Sequence, residues 1–203
     1  MQDRILNKAR ELMFQTGVKH VTMDDLANQL GISKKTIYHY FKDKDTLVSS
    51  VVENELTNHE VFCNHSVMAA DNAVHEIFLL MNVIQEMFTR MNPLALFEIE
   101  KYYPDAYEKI KNHKDDYIFS MIRANLEKGI KEGLYRKDVD VNILSKYRLE
   151  TSLIPFNIQV FPPNKFDMLK VNLQIIEHFV YGVATLEGHQ LMDTYKLNQP
   201  TAQ

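Results

Sequence analysis

The chain reads as an all-α protein of about nine helices. A three-helix N-terminal domain carries a helix-turn-helix, and a larger helical domain follows it. Three observations predict this. Apolar residues recur three and four positions apart through most of the 203 residues, as on helices that pack by one face. Only six Gly and six Pro occur, and Val/Ile/Thr runs that alternate between turns are scarce, which argues against strands. Residues 22–47, TMDDLANQLGISKKTIYHYFKDKDTL, read as two short helices joined by a glycine turn, with a third starting straight after.

The first helix is expected over about Asp3 to Thr16, with Ile5, Leu6, Ala9, Leu12 and Met13 on its inner face and Gly17 ending it. Thr22 is a good N-cap for the second, and Asp25, three residues on, completes a reciprocal capping box. Leu26, Ala27 and Leu30 give that helix one apolar face. Gly31 stands where a helix needs a left-handed residue to stop. Ile32 re-enters the core, Ser33 offers a second cap, and Lys34 to Tyr40 form the third helix. Two helices about a short glycine turn describe a helix-turn-helix, whose second helix enters the DNA major groove.

A long helix should start near Asp43, its cap, and run through Leu47, Val48, Val51, Val52 and Leu56. Another covers about Asp71 to Met91, with Val74, Ile77, Phe78, Met81, Ile84, Phe88 and Met91 as one stripe and Leu80, Val83 and Met87 as a second. Such a helix belongs at the centre of its domain. Pro93 and Pro104 bracket a short segment, after which a helix runs from about Asp105 to Glu132, stopped by Gly133. Asp138 and Asp140 are candidate caps for the next, which ends or kinks before Pro155. Phe161 to Asn164 is a loop. The last helix, about Phe166 to Leu186, has two apolar faces, one for its own protomer and one for a second copy. Ile175, Phe179, Gly182 and Leu186 are the candidate dimer interface, and the tail after Asn198 is expected to fray. The functional division falls at residues 1–47 and 48–203.

Composition bounds the function. Hydrophobic content of 45% and charged content of 25% are ordinary for a globular chain. Cys63 is the one cysteine, which excludes an internal disulfide and a cysteine-based zinc site. MQDRILNKAR is charged and amphipathic and does not read as a signal peptide, and the apolar stretch Ile77 to Ile84 is too short to cross a bilayer. A cytoplasmic protein without membrane partners is expected. Net charge is −4, but residues 1–50 hold eight Lys/Arg against six acids, a net of +2, leaving fifteen against twenty-one, or −6. The asymmetry has the sign expected if DNA meets the N-terminal portion.

Lys34 and Lys35 break a rule. They sit in the first turn of their helix, where cations are disfavoured by ~0.3–1 kcal/mol each, and no acid of that helix relieves them. Contact with phosphates or base edges turns this cost into binding energy.

Thr22, Leu26-Ala27, Leu30 to Ser33, Thr36 to Tyr38, Tyr40-Phe41, Lys44 and Leu47 together resemble the tetracycline-repressor (TetR) family of transcriptional regulators. The resemblance covers about a quarter of the chain and implies an all-helical homodimer on double-stranded DNA with a palindromic operator. Matched to that motif, Lys34, Lys35, Thr36, Tyr38 and His39, which follow the cap Ser33, are the base or near-base contacts. Tyr40, Lys44 and the helix start at Thr22 and Met23 are phosphate contacts. Ile37, Phe41, Ile32 and Leu47 should point inward, and Asp24 and Asp43 serve helix dipoles. The resemblance also implies a small-molecule effector that favours the DNA-incompetent state. The larger domain supplies Met and aromatic residues for a pocket (Met81, Phe88, Phe97, Tyr103, Tyr107, Phe119, Met121 and Phe156), although at helical spacing such residues are more often plain core. No cofactor is implied.

An enzyme reading finds little support. HExxH, P-loop, dinucleotide turn and nucleophile elbow are all absent from the sequence. Glu55, His59 and Cys63 share a helix face at i, i+4 and i+8 and read as a polar stripe rather than a metal site. An activator, or a regulator controlled by a protein partner or by no ligand, remains an alternative.

Overall fold

The computed structural model describes residues 1–90, 92 and 94–198. Met91, Pro93 and the tail beyond Asn198, read above as a stripe member, a breaker and a frayed end, lie outside them. Eleven α-helical segments are found among the described residues: α1 (Gln2–Thr16), α2 (Met23–Leu30), α3 (Lys34–Tyr40), α4 (Lys44–Ala69), α5 (Ala73–Arg90), α6 (Ala95–Tyr102), α7 (Pro104–His113), α8 (Phe119–Lys131), α9 (Val141–Thr151), α10 (Met168–Val183) and α11 (Leu186–Asn198). The all-α expectation holds, with more helices than the nine foreseen.

By their contacts the described residues group into two compact units, one from residues 1–60 and 87–113, the other from 61–86 and 114 onward. In the first, Ile5, Ala9 and Met13 of α1 close over Leu26, Ala27 and Leu30 of α2, Ile37 of α3 and Leu47, Val48 and Val51 of α4. Ala95, Ile99, Tyr103 and Ala106 of the α6–α7 region complete this core. Arg4 Nη2 donates to the Leu30 carbonyl at 3.1 Å, bringing a cation to the negative end of α2. In the second unit, Val74 and Phe78 of α5 pack with Leu126, Tyr135, Ile176, Val180, Val183 and Met192.

Two helices differ from the expected ones. The helix foreseen from Asp105 to Glu132 is an unbroken helical run, but Lys114–Ile118 within it is π-helical, which separates α7 from α8. The last helix, foreseen as reaching Leu186, stops at Val183. Ala184 is extended (φ −69°, ψ 149°) and forms an antiparallel bridge with Tyr135. Arg136 N donates to the Val183 carbonyl at 2.8 Å and Thr185 N to the Leu134 carbonyl at 2.9 Å. Hydrogen bonding to the 134–136 strip thus replaces the helical bonds of a segment that has no breaker of its own. The Thr185 hydroxyl then accepts from Gly188 N at 3.2 Å and starts α11.

Candidate nucleic-acid interface

Local rules build the N-terminal reader. The Thr22 hydroxyl accepts from Asp25 N at 3.1 Å, and Asp25 Oδ2 accepts from Thr22 N at 2.9 Å, the reciprocal box expected at the start of α2. The Thr22 hydroxyl, which donates to Asp25 Oδ2 at 2.7 Å, and then the Thr22 amide hold the Asp25 carboxyl below its ordinary range. Gly31 ends α2 at φ 65°, ψ 34°, left-handed backbone that glycine adopts without steric cost. Ser33 Oγ accepts from Thr36 N at 3.1 Å to start α3. Asp43 Oδ1 accepts from Thr46 N at 2.8 Å to start α4.

α3 then divides by face. Ile37 is fully buried and Phe41, just past its end, nearly so. Ser33, Lys34, Lys35, Tyr38, His39 and Tyr40 are exposed, and Thr36 is half-buried. Tyr38 and Tyr40 rank among the exposed large side chains, at 44% and 38%, although water gives an apolar ring no reason to be there. The His39 and Tyr40 rings meet edge to face at 5.0 Å. Lys42 extends the basic edge just past α3 and is also exposed. It was absent from the contacts foreseen, because it lies between the motif positions Phe41 and Lys44 on which that reading relied.

Three expected site residues behave differently from the reading above. Lys34 is relieved by an acid of another helix, its own offering none. Its Nζ donates to Asp24 Oδ2 of α2 at 2.9 Å, which holds the ammonium above its ordinary range. Asp24 therefore serves α3 as well as its own helix dipole, and only spatial folding shows this. Met23 is buried, so what it presents at the surface is the backbone amide of a helix start. Lys44 turns its ammonium inward. Nζ donates to the Lys19 carbonyl at 2.9 Å and lies 5.6 Å from the Tyr103 ring centre, and desolvation lowers its affinity for a proton. The ammonium braces the loop before α2, where it was expected to face phosphate. That loop has a second brace in Glu98 of α6, whose Oε2 accepts from Lys19 N at 2.9 Å.

Residues 5–51 match the model of the family described as "Bacterial regulatory proteins, tetR family". This N-terminal segment is that of the TetR family. It carries the helix-turn-helix by which that family binds DNA. Relatives of the chain are described as transcriptional regulators. The chain is 32% identical over 112 residues to the uncharacterised HTH-type transcriptional regulator YvaF of Bacillus subtilis (strain 168), an alignment spanning 53% of this chain and 56% of that protein. It thus spans only about half the length of this relative. It is 22% identical over 167 residues to the HTH-type transcriptional repressor KstR2 of Mycolicibacterium smegmatis, spanning 75% of this chain and 76% of the relative. A crystal structure of a transcriptional regulator from Saccharomonospora viridis in complex with choline superposes with a TM-score of 0.74 at 15% identity, covering 91% of this chain and 97% of that one. That likeness establishes the fold.

Outside the reader, the chain distributes the other candidate residues unevenly. Of the eight effector-pocket candidates, Phe88, Phe97, Tyr103 and Tyr107 lie in the first unit and Met81, Phe119, Met121 and Phe156 in the second. Tyr103 is buried in the first core with Tyr107 against it, Phe97 is exposed, and Met81 packs on the second core. Two surface clefts are lined by none of the eight. One is formed by Arg4, Asn7, Lys8, Glu11, Gln29 and Leu30, the other by Asn142, Ile143, Lys146, Tyr147 and Glu150. Of the dimer candidates, Gly182 and Leu186 are exposed, Ile175 is half-buried, and Phe179 is buried within its own protomer. Ile143 and Tyr147 of α9, 64% and 52% exposed, are apolar surface that the reading of the last helix missed.

The stripe Glu55–His59–Cys63 joins helices. Glu55 ion-pairs with Arg10 of α1, His59 Nδ1 and His113 Nε2 share a hydrogen bond at 3.2 Å, and Cys63 is buried. Among the described residues no group of three or more His, Cys, Asp or Glu is placed to hold a metal ion, and no helix is long and apolar enough to cross a membrane.

Proposed function

We propose that this regulator is a homodimeric repressor that grips a palindromic operator with α3 of each protomer and lets go when a small molecule binds within residues 48–203. The observation that carries the reading is the division of α3. Ile37 anchors the helix in the core while Lys34, Lys35, Tyr38, His39 and Tyr40 stand in solvent. Lysine amines and tyrosine hydroxyls reach phosphates, and aromatic edges and the Thr36 methyl suit thymine methyl groups. Thr22 and the Met23 amide at the start of α2, with Tyr40, lie on phosphates, and Lys44 supports that grip by holding the loop before α2. Two half-sites about one helical turn apart, ~34–36 Å, fit a two-fold dimer. Ile175, Gly182 and Leu186, with Ile143 and Tyr147 of α9, offer the apolar surface for it.

A gel-shift titration on the chain's own upstream DNA at fixed salt tests the grip. Tyr38→Ala and Lys35→Ala should fold as the parent does and each weaken binding about tenfold, as loss of a base or phosphate contact does. Parental affinity in both variants contradicts the docking. Candidate metabolites added to the bound complex then test release.

A further inference from the structure

The inward face of α9 lays a polar strip into the second core. Ser145, Arg148 and Thr151 follow one another at helical spacing and are 0%, 9% and 8% exposed. Phe179 of α10 faces Arg148. The Thr151 hydroxyl donates to the Arg148 carbonyl at 3.0 Å and is thereby satisfied. Ser145 Oγ and Arg148 Nη1 are buried with no hydrogen-bond partner among the described residues. No carboxylate among those residues pairs with Arg148. Glu150, two residues on, is exposed and engaged by Lys146 at 2.8 Å and Lys114 at 3.4 Å. The Phe179 ring lies 5.9 Å from the guanidinium carbon, and Tyr147 stacks on that ring at 6.2 Å.

The same unit shows what a compensated buried charge looks like. Glu76, 2% exposed, accepts from Asn125 at 2.9 Å and from Lys128 at 3.1 Å. Arg148 has no such set, and burial alone pushes its guanidinium down to about 10. A buried cation without a counter-charge destabilises a fold, and a chain that keeps one commonly has a use for it.

Resting on the effector reading above, we propose that Arg148 anchors an anionic ligand, a carboxylate or phosphate on an apolar body, with Ser145 Oγ as second donor. The planar guanidinium fork matches two anionic oxygens at once. Its neighbour, the Phe179 ring, is itself buried and suits an apolar body better than a hydrated ion. Nη1 is enclosed within one protomer, so the anion enters the α9–α10 layer and does not dock on its surface. A ligand of this sign is opposite to choline, the compound named with the Saccharomonospora viridis protein of like fold.

Isothermal titration calorimetry on the full chain tests the site, with benzoate, 4-phenylbutyrate and decanoate each set against its neutral amide, and inorganic phosphate as a free anion. At least one carboxylate should bind about tenfold or more tightly than its amide, an advantage that Arg148→Met abolishes and Arg148→Lys reduces. Phosphate binding without carboxylate preference assigns a free-anion site and overturns the apolar body. Without ligand, Arg148→Met should raise Tm, because an apolar side chain of similar length replaces an uncompensated cation. Equal binding of carboxylates and amides overturns the proposal, as does a preference that survives in Arg148→Met. A lower Tm in that variant shows a charge already compensated, and a dissociated dimer shows the counter-charge to be the partner's; either result also overturns it. Should Arg148→Met not fold, Arg148→Lys carries the same comparison. Operator release is read separately by gel shift. Binding at Arg148 without release sinks the release reading alone, whereas release by neutral compounds, equal in both proteins, sinks the anion site alone.

Discussion

Gly129 shows how tightly single positions are held in the second unit. A Cβ built there stands 2.1 Å from Tyr135 Cδ2, far inside van der Waals contact. Tyr135 has little room to retreat. It is 1% exposed, and its hydroxyl donates to Asn125 Oδ1 at 3.2 Å, while Asn125 Nδ2 reaches the Ala73 carbonyl at 3.0 Å. Gly129→Ala should therefore destabilise the chain by about 1–3 kcal/mol or more, as overpacked cores do. A thermal melt that matches the parent contradicts this. Neither this contact nor the turning of Lys44 towards Lys19 was legible in the sequence, because each depends on how the chain turns back after a helix and not on a helical period. The exposure of Tyr38 was legible, since it stands a quarter-turn and more round the helix from buried Ile37. Tyr40, three positions on, shares the face of Ile37 and is exposed because α3 ends there.

Pairs of helices carry the next level of organisation. α4 and α7 meet through His59 and His113, whose rings stand 5.3 Å apart, and His113 Nδ1 lies 3.1 Å from Glu60 Oε1. Burial, and then the neighbouring His113, lower His59 from 6.5 to about 4. Burial also lowers His113, against the pull of Glu60. The unfolded chain therefore takes up more protons than the folded one between about pH 4 and 6.5, so stability is full above that window and is lost as pH falls through it. Melts from pH 7.5 to 4.5 should show Tm falling, and His59→Gln should flatten the fall; equal pH slopes in the two proteins contradict the assignment. The helix starts were readable here. Thr22, Ser33, Asp43 and Asp140 all cap as their side chains suggest, because a cap is settled within three or four residues. The break at Ala184 was not, since alanine favours helix and only the distant 134–136 strip draws that backbone away.

At the scale of the molecule, the first unit is discontinuous in sequence. Its core takes Ala95, Ile99, Tyr103 and Ala106 from residues some forty or more positions beyond the last N-terminal contributor, Val52, and Glu98 of the same stretch braces the loop before α2. A fragment ending at residue 60 loses all of these. With each large buried side chain worth ~2–5 kcal/mol, the fragment should melt well below the intact chain and less cooperatively by circular dichroism. A fragment melting at the parent's temperature contradicts the shared core.

Periodicity, caps and one glycine turn by themselves determined that this protein is helical, where its reader lies and which face of α3 meets solvent, since each is decided within a few residues of chain. Tertiary structure alone decided that Asp24 answers Lys34, that α6 completes the reader's core, that the last helix is two, and that Arg148 lies buried without a counter-charge. Each of these depends on groups that only folding brings within a few ångströms of one another, where desolvation and contact outweigh local preference.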